Sequence, residues 1–184
     1  MKHNFSFSST AKTKYEMLFR KENLMLIVLS AAALFIPIIL RHATFTNQIL
    51  AGSLVNFLLA TSALYFSFRK ALPVILLPAV AALLSGIIFG QFTIFLVYLI
   101  PFIWIGNALY VYFIKNFSLV NKLNYFVSVL GAGLIKSVFI FSGTFILVSA
   151  GIVPAVFLIP MGLIQFATAA IGGFAARGTF LLKK

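Results

Sequence analysis

Along this chain, long apolar stretches alternate with short polar breaks, and the stretches repeat at nearly constant length. Six can be marked: Leu24–Leu40, Gln48–Phe68, Ala71–Gly90, Phe92–Ile114, Leu123–Ala150 and Pro154–Ala176. Most approach the ~20 residues an α-helix needs to cross the hydrocarbon of a bilayer. The first is short and must borrow from its flanks, and the fifth is long enough to tilt. Arg69-Lys70 is expected to stop the second segment, with Pro73 in the first turn of the third, where a missing N–H is harmless. Gly90-Gln91 predicts a tight third turn, and Gly151 and Pro154 bracket the end of the fifth segment. Pro37, Pro78, Pro101 and Pro160 fall inside apolar segments and predict kinks, which membrane helices tolerate when neighbours satisfy the freed carbonyls.

Composition agrees with this pattern. Of 184 residues, 62% are hydrophobic and 9% charged. A soluble domain of this size cannot bury that much apolar surface, so the solvent is lipid. The expected fold is all-α: a polytopic membrane protein of six transmembrane helices over residues 24–176, flanked by basic tails at 1–23 and 177–184. The tail stretch KTKYEMLFRKE (12–22) is amphipathic and basic and is expected to rest on an anionic lipid surface. The first apolar run follows too long a tail, and precedes too many further spans, to read as a cleaved signal peptide.

Charge fixes an orientation. Of 14 lysines and arginines, all but Arg41 and Lys136 fall on one side when six helices alternate. The positive-inside rule places that side, and both termini, in the cytoplasm of a cell-membrane protein. The net charge of +12 is therefore topological, and nucleic acid is not expected as a partner.

Several chemistries lack their residues. There is no cysteine, no aspartate, and two glutamates, Glu16 and Glu22, both ahead of the first span. The histidines are His3 and His42, so no H-E-x-x-H zinc motif can form and Ser142 has no histidine within a span to activate it. Membrane carboxylates for proton coupling and a phosphate-binding loop are also missing. The chain is expected not to be an enzyme, to carry no cofactor or metal, and, if it transports, to draw energy from another subunit.

The polar groups inside the spans then stand out. Lys136, in GAGLIKSVFIFSG (131–143), costs at least ~2.5–3.5 kcal/mol at a bilayer centre and has no intramembrane acid to pair with. On the fifth helix it is expected in the outer half of the bilayer, beside Ala132, Gly133, Ile140 and Gly143. Either it meets an anionic or carbonyl-bearing ligand, or it snorkels or bonds to the carbonyls of a kinked neighbour. Tyr98 and Trp104, on the fourth helix, are candidates to line the same cavity, and Gln165 is a candidate third wall. Asn107 reads first as an interhelical bond. Gly52, Asn56, Ala60 and Ala63 form a small, polar face suited to helix packing. The loop RHATFTNQ (41–48), with Arg41 and His42, is a natural lid.

The succession GSLVNFLLATSALYF, PVILLPAVAALLSGIIFG and LIPFIWIGNALYVYF resembles the substrate-binding S components of energy-coupling factor (ECF) transporters. The resemblance implies a six-helix subunit that captures a vitamin or metal ion from outside, bound to a scaffold membrane subunit and driven by two cytoplasmic ATPases. It places the ligand between the first outer loop and the last three helices, the region of Arg41, His42, Tyr98, Trp104, Lys136 and Gln165. It also implies docking to the scaffold through alanines of the first helix. Here the run is Ser30, Ala31, Ala32 and Ala33, with Phe35 where a second alanine four residues after Ala31 would stand. The histidine cluster of the metal-binding members is absent, so the expected cargo is a small organic solute. The remaining alternatives are a structural or assembly membrane protein with no small-molecule site, and a stand-alone carrier.

Overall fold

The computed structural model describes residues 9–40, 45–86 and 89–181. Six long helices account for most of them: α1 Ser9–Ile39, α2 Phe45–Tyr65, α3 Phe68–Ser85, α4 Leu96–Ile114, α5 Tyr125–Ser149 and α6 Gln165–Leu181. Together with the short helical turns that lead into α4 and α6, all six are long and apolar enough to span a membrane.

The distribution of side chains on α5 shows which solvent the bundle is built for. Its exposed face carries Val127, Leu130, Leu134, Val138, Phe141 and Phe145. Its buried face carries Ser128, Ala132, Gly133, Lys136, Ser137 and Thr144. Large apolar groups outside and small or polar groups inside is the reverse of a soluble amphipathic helix. It is the arrangement expected where lipid surrounds the bundle and helices meet through small residues. The buried hydroxyls of Ser137 and Thr144 bond back to the Gly133 and Ile140 carbonyls of their own helix, at 2.7 and 2.8 Å, and so need no outside partner.

At the centre lies α2, with 61% of its span buried. It packs most extensively on α6, and also touches α1, α3 and α4, while α4 packs on α5 and α1 lies at the rim against α3 and α2. The α2–α6 contact is backbone-close. A Cβ on Gly172 would lie 2.2 Å from the Ser53 carbonyl oxygen and 2.6 Å from the Phe57 nitrogen, so no larger residue fits there. Three tyrosines from three helices donate to carbonyls of α6: Tyr110 to Ala169 at 2.6 Å, Tyr125 to Gly173 at 2.8 Å, and Tyr65 to Thr179.

The breaks differ in detail from those the hydropathy suggests. α1 begins at Ser9, so the basic stretch 12–22 continues into the span as one helix. α2 and α3 are separated by Phe66 and Ser67 alone, with Ser67 extended, and Arg69-Lys70 form the first turn of α3 rather than a stop. Pro73 therefore sits within α3, beyond its first turn. Lys115 donates to the Phe66 carbonyl in that connection, at 2.8 Å. The third break starts at Gly86, which caps α3 in the left-handed conformation (φ 72°), ahead of Gly90 (φ 57°) and a 3-10 turn at Gly90–Phe95. Pro160 opens a π-turn, Pro160–Ile164, that leads into α6. Pro37, Pro78 and Pro101 lie inside helices as expected.

Two apolar clusters fill the interior. One, with Leu59, Val74, Ile114 and Ala176, occupies the end where α1 starts and α6 finishes. The other, with Leu99, Ile140, Phe157 and Met161, occupies the opposite end. Between them lies a layer that contains Asn56, Asn107, Lys136 and Thr168, all nearly inaccessible to solvent.

Candidate functional site

Lys136 lies near the midpoint of α5 and is 2% exposed. Its aliphatic stem runs past Gly106 of α4, where an added Cβ would approach the lysine Cγ to 3.5 Å. The ammonium donates to Asn56 Oδ1 at 2.6 Å, and the Tyr110 ring faces it with its centroid 5.3 Å from Nζ. A π face attracts a cation, the more so where water is excluded.

Asn56 is itself fixed. Its amide nitrogen donates to the Gly52 carbonyl at 2.9 Å and to Thr168 Oγ1 at 3.2 Å. Thr168 in turn donates back into its own helix, to the Ile164 carbonyl at 2.8 Å. A directed chain thus runs from Lys136 on α5 through Asn56 on α2 to Thr168 on α6. It is made possible by the glycine contacts of α2 and α6, which bring Gly52 against Thr168 and Asn56 against Gly172.

A second set of bonds ties α3 to α4. Asn107 donates to the Ile75 carbonyl at 3.1 Å and Trp104 Nε1 to the Leu76 carbonyl at 3.0 Å. Both acceptors lie on α3, in the turn before Pro78. Asn107 is thus an interhelical bond, as its sequence context suggests.

Above the polar layer lies a cavity of about 140 Å³. It runs from the end of the bundle that carries the α1–α2, α3–α4 and α5–α6 connections down to the buried layer. Leu40, Asn47, Gln48 and Phe89 surround its upper part. Pro78, Ala79, Ile103 and Met161 form apolar walls, with Gln165 beside them. Asn56, Asn107, Lys136 and Thr168 meet it at the bottom.

Of the residues singled out from sequence, the structure brings Lys136 and Gln165 to this cavity. Tyr98 and Trp104 are not part of its lining. Tyr98 is 53% exposed, on the outer surface of α4, and the Trp104 indole is drawn to the Leu76 carbonyl. Arg41 and His42 lie outside the described residues. In the alanine run of α1, Ala33 is buried in the bundle's own core, Ser30 and Ala32 are half-buried, and Ala31 faces outward. Asn56 and Thr168 were not singled out as site residues. The signal available for Asn56 was an amide in an apolar span with glycine one turn earlier, facing a chain that had to supply an acceptor for Lys136.

No protein-family model matches this chain, and no curated protein or solved structure matches it.

Proposed function

We propose that this chain is the membrane-embedded capture subunit of an ECF-type importer, a non-enzymatic binder of a small organic solute. The observation that carries this reading is the cavity that descends from one end of a six-span bundle to a fully buried lysine. Ligand sites are concave and mostly apolar, with a few convergent polar groups at fixed positions, and intramembrane ionisable groups mark such sites. The distribution of lysine and arginine turns the mouth of the cavity to the cell exterior and both termini to the cytoplasm. The sequence offers no phosphate-binding loop and no intramembrane carboxylate, so the work of import falls to partners: a scaffold membrane subunit and cytoplasmic ATPases. The segments that resemble S components form α2, α3 and α4, and two of these helices supply Asn56 and Asn107 of the polar floor.

A second reading draws on a different observation. Lys136, Asn56, Trp104 and Asn107 all bond within the bundle, as they would in an assembly protein with no small-molecule site. Gentle extraction from the native membrane followed by native mass spectrometry separates the two. The capture reading expects a second integral membrane protein, ATPase subunits, and a bound small molecule. A single client protein with no small molecule would favour assembly and overturn capture.

A further inference from the structure

We propose that the captured solute is a compact organic monoanion of no more than one ring, bound with its anionic group against Lys136 at the cavity floor. This rests on the capture reading above and narrows it to a chemical class.

The first argument counts hydrogen bonds. Both donors of the Asn56 amide are used, its oxygen accepts from Lys136, and the Thr168 hydroxyl donates into its own helix. The chain of donors and acceptors therefore closes everywhere except at the ammonium. An ammonium has three N–H donors, and among the described residues one is taken by Asn56, with a π face nearby. What this end of the network lacks is acceptors.

Charge narrows the class. Lys136 is the one ionisable side chain among the described lining residues. The two acids of the chain, Glu16 and Glu22, precede the first apolar run, and Glu22 pairs with Lys70 at 2.9 Å. A neutral acceptor would leave the buried cation without a counter-charge. A single negative charge neutralises it, whereas a dianion would bring an excess charge into a low-dielectric site.

Shape gives the rest. A cavity of about 140 Å³ is close to the ~150 Å³ apolar cavity that holds one benzene molecule. The walls above Lys136 are Pro78, Ala79, Ile103 and Met161, which offer an apolar body a surface and offer a hydrated inorganic ion none.

The test uses the full-length protein in lipid nanodiscs, with benzoate, benzamide and 2-naphthoate as probes in calorimetric titration. Small molecules released on denaturing freshly purified protein are analysed in parallel. Benzoate is expected to bind about 10–100-fold more tightly than benzamide, the range given by one charge-assisted hydrogen bond, and more tightly than 2-naphthoate. Lys136→Met is expected to abolish the preference for benzoate. Lys136→Gln keeps a donor for Asn56 and carries the same test should the methionine variant not fold. Equal binding of benzoate and benzamide, or an unchanged preference in both variants, overturns the anion. Tighter binding of 2-naphthoate overturns the size limit. In each of those cases capture itself stands, because a ligand was bound. Binding of no probe, together with no released molecule, overturns this proposal and the capture reading alike.

Discussion

Asn56 has little freedom. Rotating its amide would set an NH2 group against the Lys136 ammonium and remove the donors to Gly52 and Thr168, so three bonds fix one orientation. Replacing it leaves a buried cation without its acceptor. Asn56→Ala should therefore cost about 2–3 kcal/mol, the range for a hydrogen bond to a charged group with desolvation left uncompensated. Adding Lys136→Met removes the stranded charge, so the double variant should be more stable than Asn56→Ala alone. Thermal unfolding of the four proteins in one detergent forms the cycle, and strictly additive losses would show that the two side chains are not coupled. Lys136 was legible in the sequence because a charge in an apolar span is conspicuous. Asn56 was not, since it lies 80 positions away and an amide beside small residues reads equally well as ordinary helix packing.

Among the elements, α2 and α6 depend on a glycine. Gly172→Ala forces the Ser53 carbonyl and the Phe57 nitrogen away from positions 2.2 and 2.6 Å from the new Cβ, and both are backbone atoms. Helix separation should cost about 2–3 kcal/mol. Gly178→Ala, on the same helix with nothing within 4 Å, should be neutral or slightly stabilising, because alanine is the better helix former. A comparison of the two melting temperatures checks this, and equal behaviour would mean that the helices are less closely packed than described. The spans themselves were legible, because hydrophobic length is set by the bilayer. Their ends were less so. Hydropathy marks where lipid stops, whereas a hydrogen-bond ladder stops where backbone geometry changes. α1 runs on through charged residues back to Ser9, and α3 ends at Gly86 before its apolar run does.

For the molecule as a whole, the count of six spans followed from the sequence; a hollow beside Lys136 was expected there too, but not which residues wall it. A void is a relation among six helices, and no single segment carries it. The orientation is open to direct measurement, since the chain has no cysteine and one can be introduced at will. Ala150→Cys, at the α5–α6 connection, should react with a membrane-impermeant maleimide in intact cells. Asn121→Cys, at the α4–α5 connection, should react only after permeabilisation. The reverse pattern would turn the cavity to the cytoplasm and remove the basis for uptake from outside.

The three tyrosine bonds to α6 have a mechanical consequence. Their acceptors, Ala169, Gly173 and Thr179, all belong to the half of the bundle away from the cavity. That half is pinned from three directions, while the other is entered through the π-turn at Pro160–Ile164 and encloses empty volume. Amide protons should therefore exchange with deuterium sooner in 158–168 than in 169–177, and sooner near the start of α2 than near its end. Breathing motions would then be confined to the mouth, above a stationary base.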